Sequence, residues 1–264
     1  MKIYLDCSMG ASGDMLMAAL YELLPDKGDF RTRMERLNLS GVTFEYSVST
    51  KCGINGTHIS VKVGGVEEIS DDVISHDHDH DHDHDHGKGH DHDHDHGKGH
   101  DHDHDHDHAT LNSHAGRRYG VNEILTLIRG LDLPEKVIEN ALAVYMILGE
   151  AEAAVHCTTI DTVHLHEVGS LDAVADIVGC CLLVDMLGVT EISASPVHVG
   201  SGFVRCEHGV LPVPAPAAAE ILKGIPIYGG RIKGELCTPT GAALLKRFVD
   251  RFGEMTPMIV SKIG

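Results

Sequence analysis

"LDAVADIVGCCLLVDML", residues 171–187, decides how the rest of the chain must be arranged. Helical spacing fits it, yet apolar side chains cover most of its circumference, and such a helix must be buried by other elements. Carboxylates interrupt it at Asp172, Asp176 and Asp185. Asp172 and Asp176 lie one helical turn apart, on one side of the helix. A carboxylate on a buried helix needs a partner or a task; a plainer alternative is a helix-start residue at Asp172 and a solvated Asp176.

Elements able to cover that helix lie on both sides of it in sequence. Lys2 to Asp6 alternates like a strand and runs through a Gly-rich loop into "DMLMAALYELL", whose Leu16, Leu20 and Leu23/Leu24 lie on one side of a helix. A short helix is predicted over Arg31–Leu37, then two strands in "VTFEYSVSTKCGINGTHISVKVGG" with a turn near Gly53–Gly56. Downstream, "VNEILTLIRGLDLPEKVIENALAVYMILGEAEAAVH" predicts a helical hairpin broken at Gly130 and Pro134. After residue 187 come strand and turn, a helix begun by the prolines of "VPAPAAAEILKG", and a last helix capped by Thr238 and closed by Gly253. The expected class is α+β, with mixed sheet elements and a helical hairpin. Residues 1–70 form an N-terminal unit and 115–264 a second region, expected to pack together as one domain around an insert at 71–114.

That insert carries the sequence's most unusual chemistry. "HDHDHDHGKG" runs from His80 to Gly89 and repeats from His90 to Gly99, inside a His/Asp tract spanning His76 to His108. The segment has too few apolar side chains to offset the entropy of ordering it, so disorder is expected. In an extended chain the alternation puts imidazoles on one edge and carboxylates on the other. His80, His82, His84, His90, His92, His94, His100, His102 and His104 are candidate metal ligands. Imidazole suits nickel, zinc, copper and cobalt, and the tract alone does not choose among them. A drifted spacer and an engineered tag are the plainer alternatives. A disordered segment can gather metal but cannot impose fixed geometry, so any chemistry belongs to the folded part.

The net charge of −19 is partly local, because the tract holds 12 Asp against Lys88 and Lys98. The remainder is moderately acidic, which disfavours nucleic acid and anionic lipid as partners. The seven cysteines are odd in number and include no C-x-x-C pair, so reduced thiols in a cytoplasmic protein are expected. No apolar run approaches a membrane span.

Four segments of the folded part bear polar groups in suggestive patterns. "DCSMGASGDM" (6–15) brackets a strand-to-helix loop with Asp6 and Asp14, and the backbone around Gly10, Ser12 and Gly13 can cradle a phosphate or carboxylate. It lacks the G-K-[ST] of a P-loop, and a plain tight turn would look the same. "HLHEVGSLDAVAD" (164–176) joins His164 and His166 to Glu167, Asp172 and Asp176, enough for a metal site or an acid/base pair. "SPVHVGSGFVRCEHGVLPVPAPA" (195–217) places His198, Cys206 and His208 as possible metal ligands and Arg205 as an anion partner. "ELCTPTGAALL" offers Thr238 and Thr240 at a helix start, a second possible anion cradle. Singly, each such His or Cys is more often a packed residue than a ligand.

Taken together, "YLDCSMGASGDM", "VHLHEVGSLDAVADIVG", "GSGFVRCEHGVLPVPAPA" and "GELCTPTGAALL", in order from Tyr4 to Leu245, resemble the LarC family of nickel-insertion proteins. Many of its members also carry a His-rich insert at this place. The resemblance implies a CTP-dependent nickel chelatase, or cyclometallase. Its substrate would be pyridinium-3,5-bisthiocarboxylic acid mononucleotide, which gains two Ni–S bonds and one Ni–C bond. The product is the nickel-pincer cofactor of lactate racemase-type enzymes, whose apo-enzyme is then a possible partner. The family also implies a further C-terminal region, sometimes a separate product, to which CTP and a divalent cation such as Mg²⁺ or Mn²⁺ are attributed. On this reading the tract gathers Ni²⁺ and the ordered His, Cys and Asp residues present it. Two other functions fit the residues: a nickel store or metallochaperone without chemistry, and a metal-dependent phosphohydrolase built on Asp6, Asp14, His164 and His166.

Overall fold

A computed structural model of the chain describes residues 1–67, 119–165, 168–206 and 208–264. The tract histidines, the boundaries predicted for the insert, His166 and Glu167 lie outside the described residues. The architecture is α+β.

Strand β1 (Lys2–Leu5) leads through a loop into helix α1 (Gly13–Leu23), capped by Ser12, whose Oγ accepts from the Met15 N–H at 3.4 Å. Helix α2 (Lys27–Arg36) starts four residues before the predicted Arg31, because the Asp26 carboxylate accepts from the Gly28 N–H at 2.8 Å and caps it there. Strands β2 (Val42–Lys51) and β3 (Ile54–Val63) form an antiparallel hairpin with Lys51 opposite Ile54. Its turn is only Cys52–Gly53, both with positive φ, the twist-matched geometry of a two-residue hairpin loop. The predicted turn at Gly53–Gly56 was therefore too long, and Gly56 lies within β3. The short β4 (Val66–Glu67) adds to β3.

Helices α3 (Val121–Arg129) and α4 (Glu135–Val155) make the expected hairpin, broken at Gly130 and Pro134. Helix α5 (Leu171–Met186) is the buried helix that the sequence required. Strands β5 (Glu191–Ala194), β6 (Val197–Ser201), β7 (Phe203–Cys206) and β8 (Gly209–Pro212) follow. The chain then forms α6 (Pro216–Ile221), β9 (Ile227–Gly229), β10 (Gly234–Glu235), α7 (Pro239–Phe248) and β11 (Arg251–Phe252). Gly253 does not close α7. The helix stops at Phe248 because Arg251 and Phe252 leave it to pair with β5.

Helices α1, α2, α4 and α7 and strand β3 all pack on α5. Val174, Ala175, Ile177, Val178, Cys181, Leu182 and Leu183 of α5 expose no surface. Each large apolar side chain buried there contributes about 1.5–3 kcal/mol relative to leaving it exposed. Around this core, β5 is the middle strand of a parallel sheet, with β1 on one side and β11 on the other. A second sheet has β6 between antiparallel β10 and parallel β9. The loop that leaves β1 sits where these two sheets and α7 meet: Cys7 O accepts from the His198 N–H of β6 at 3.1 Å, and Ala11 bridges to Cys237 just before α7. No helix among the described residues is long and apolar enough to cross a membrane.

Candidate functional site

The β1–α1 loop is held by hydrogen bonds along most of its length. Asp6 is exposed, and its Oδ1 accepts from the Ser8 N–H at 3.0 Å. Cys7 N–H donates to Ser195 Oγ at 2.8 Å, and the Gly10 N–H returns to Cys7 O at 3.0 Å in a tight turn. That turn puts Gly10 at φ +85°, in the left-handed region where a Cβ is costly. Ala11 N–H donates to Leu236 O at 2.9 Å, and Thr238 N–H donates back to Ala11 O at 3.1 Å. At the start of α7, Thr238 Oγ1 accepts from the Gly241 N–H at 3.2 Å and lies 2.8 Å from Thr240 Oγ1. Gly241 abuts Ala11 so closely that a Cβ there would fall 2.1 Å from Ala11 O. The two segments read from the sequence as possible anion cradles are thus neighbours, the starts of α1 and α7 meeting across one loop.

At the other end of this loop stands His198, 5% exposed. Its Nδ1 lies 3.0 Å from Ser8 O. A carbonyl only accepts, so Nδ1 carries a hydrogen, and in the neutral imidazole the lone pair then sits on Nε2. Nε2 is buried and has no hydrogen-bond partner. The ring stacks on Tyr228, 4.7 Å between centroids and 3° from parallel, and Gly230 leaves no room for a side chain over Nε2. A buried acceptor left unpaired costs about 1–3 kcal/mol, which a metal ion or a donor hydrogen would recover. An imidazole whose Nδ1–H is fixed on a carbonyl is the usual form of a metal-ligating histidine.

Asp14 faces α5. Its carboxylate accepts from Ser12 Oγ–H, and it lies close enough to Asp176 to oppose ionisation there. Burial, then Asp14, then Asp172 push the Asp176 pKa well above the ordinary carboxylate value. Oδ1 of Asp172 and Oδ1 of Asp176 are both buried without a hydrogen-bond partner. Gly13 rests directly on Asp176, where a Cβ would come within 2.8 Å of the Asp176 side chain. Fully buried Tyr145 of α4 donates to Val168 O at 3.4 Å, and burial, Asp172 and Asp176 raise its pKa far above the usual phenol value. Three carboxyls in one place, one of them holding its proton far above the usual range, can store and release a proton.

A protein-family model described as nickel insertion protein matches residues 3–264. The chain belongs to the nickel insertion protein family. A pyridinium-3,5-bisthiocarboxylic acid mononucleotide nickel insertion protein of Desulfitobacterium hafniense is 35% identical over 99% of this chain and 53% of its own length. Proteins of the same name from Clostridium kluyveri and a Thermotoga species are each 38% identical, over 100% and 99% of this chain and 57% and 56% of theirs. The chain spans about half the length of the curated relatives it matches. No solved structure matches it.

The remaining site residues of this nickel insertion family member are dispersed. His164 is exposed and makes a backbone bridge to Gly120. Arg205 is exposed on β7, Cys206 is half-buried at its end, and His208 is exposed at the β7–β8 turn, its ring 4.9 Å from that of His156. Among the described residues no three His, Cys, Asp or Glu side chains gather as a metal cluster, so His164, His198, Cys206 and His208 do not form one centre. Tyr228, Gly230, Ser195, His156 and Tyr145 were not singled out from sequence. Each acts through a contact made across the fold, and only Tyr145, a phenol inside an apolar helix, left a local sign.

The thiols of this family member divide by burial. Burial, helped by Asp6, pushes the Cys7 pKa to about 11, and burial with Glu235 and Cys7 pushes that of Cys237 to about 12. Cys180 and Cys181 are raised as well, chiefly by burial. Cys52 and Cys157 are exposed. Iodoacetamide at pH 8 is expected to label Cys52 and Cys157 within minutes and to spare Cys7, Cys180, Cys181 and Cys237 until denaturant is added. Rapid native labelling of Cys7 or Cys237, read by peptide mass spectrometry, contradicts the buried loop described above.

Proposed function

We propose that this chain presents nickel for insertion into pyridinium-3,5-bisthiocarboxylic acid mononucleotide. One observation carries the reading: the buried, unpartnered Nε2 of His198, its lone pair fixed by the Nδ1 contact to Ser8 O. Imidazole is a good nickel ligand, and a single protein nitrogen leaves coordination positions for the sulfurs of the substrate. The adjoining starts of α1 and α7, with Gly10, Ser12, Gly13, Thr238 and Thr240, suit the substrate's phosphate. Forming a nickel–carbon bond on the pyridinium ring displaces a ring proton, and a carboxylate of the Asp14–Asp172–Asp176 cluster is the acceptor assigned to it. In this scheme the tract from His76 to His108 gathers nickel from dilute solution. CTP dependence belongs to the same reading, with the nucleotide and its Mg²⁺ or Mn²⁺ taken by the portion of the relatives' length that this chain does not span. The setting assigned is the cytoplasm, where nickel and substrate would meet.

The test is calorimetric titration of Ni²⁺ into the chain with 76–108 removed, with and without His198→Ala. One site weakened at least about tenfold by the substitution, about 1.4 kcal/mol, is the expected result. Unchanged binding in the His198 variant excludes His198. No binding in either protein leaves a nickel store whose capacity resides in the tract.

A further inference from the structure

The segment that joins β9 to β10 covers His198. In the second sheet β6 lies between those two strands, so residues 230–233 cross over β6 to connect them. Gly229 pairs with Gly200 on one side and Gly234 with Ser201 on the other, which sets the crossing just past His198. The carbon that a side chain at Gly230 would add falls 2.4 Å from His198 Nε2, against 3.0 Å from Cε1 and 3.5 Å from Cδ2. A point above the ring face would be nearly as close to all three atoms, so this one lies outward along the nitrogen's lone pair. Gly230 Cα is one bond further away, within about 4 Å of Nε2. The main chain at Gly230 therefore stands where a ligand atom would have to enter.

Little holds the crossing down. Arg231, Ile232 and Lys233 are exposed, so raising them brings almost none of their own apolar surface into water. Outside the strand pairings, the one hydrogen bond to residues 230–233 among the described residues runs from Ser201 Oγ to Ile232 O at 2.8 Å. The segment is also longer than its span. With β9 and β10 each one strand spacing from β6, its ends are about 10 Å apart, whereas the five steps from Gly229 to Gly234 reach about 17 Å when extended. It can lift while both strands stay paired.

We propose that residues 230–233 are a strap that seals Nε2 of His198 when closed and admits a ligand atom when raised, with Ser201 as its latch. Ser201 is thus a positioning residue, acting on access to His198 through the strap. That the admitted atom is nickel rests on the function proposed above. The covering of Nε2 does not.

The experiment is labelling of the full chain with diethylpyrocarbonate, which attacks accessible unprotonated imidazole nitrogens, followed residue by residue by mass spectrometry. In the parent, His198 is expected to react at least about tenfold more slowly than exposed His164. Ser201→Ala should speed His198 about fivefold, the effect of one lost hydrogen bond, and insertion of two glycines between Arg231 and Ile232 should speed it as well, both leaving His164 unchanged. Urea below the unfolding transition should hardly alter the His198 rate, because lifting the strap exposes little surface. Reaction of parent His198 as fast as His164, or a rate that neither variant changes, overturns the proposal. So does a rate that climbs with urea in step with global unfolding. A final arm adds NiCl₂, in excess of what the tract can hold, to the insertion variant. Slower labelling of His198 supports nickel as the admitted atom, whereas labelling indifferent to nickel removes His198 from the proposed function and leaves the strap standing.

Discussion

Gly10→Ala and Gly241→Ala are each expected to lower the melting temperature by about 6–12 °C, the shift produced by about 3 kcal/mol in a chain of this size. At Gly10 two penalties coincide. The φ of +85° is strained for any residue with a Cβ, and the added carbon would fall 1.8 Å from Leu236 O. Gly241 is not strained, but its Cβ would lie 2.1 Å from Ala11 O and 2.8 Å from Ser12 N, all backbone atoms that cannot swing aside. Relief requires parting α7 from the β1–α1 loop, which breaks the Ala11–Leu236 and Thr238–Ala11 hydrogen bonds. Gly56→Ala, where nothing lies within 4 Å of the new carbon, is the control and should stay within about 1 kcal/mol. Scanning calorimetry decides the matter, and a melting temperature for either variant within 2 °C of the parent, as an order-of-magnitude threshold, would show that the loop and helix are not in contact.

Asp176→Asn should stabilise the protein increasingly as pH rises. Burial and two neighbouring carboxylates raise the native pKa of Asp176 above the ordinary value of 3.8. Between those two values the folded protein keeps a proton that the unfolded chain has released. Stability of the parent therefore falls with rising pH across that window, by about 1.4 kcal/mol per unit, and levels off once the native group ionises. Asparagine has no proton to release, so the difference between variant and parent, taken from urea unfolding at several pH values from 4 upward, widens over the same interval. A pH-independent difference would mean that Asp176 is ionised in the folded state and has found a cation.

Much of the framework was legible because it depends on neighbours in sequence. Thr238 announced the start of α7, Gly130 and Pro134 marked the break between α3 and α4, and the uniform apolarity of 171–187 demanded a buried helix. Errors fell where a distant partner overrode local preference, as at Gly253, where pairing with β5 ends the helix early. The candidate site shows the same division. The shared face of Asp172 and Asp176 follows from helical spacing, whereas the approach of Asp14, the lock between His198 and Ser8 O, and the proximity of His156 to His208 each join residues at least 52 positions apart.

The position of β5 between β1 and β11 also sets an order of events during synthesis. The first strand cannot meet its partner until residue 194 has been made, and the third strand waits for residue 252. His108 emerges more than 130 residues before Thr240 completes the loop at the start of α7, on the order of 10 s at ordinary elongation rates. The whole tract is thus synthesised well before the start of α7 can close against the β1–α1 loop.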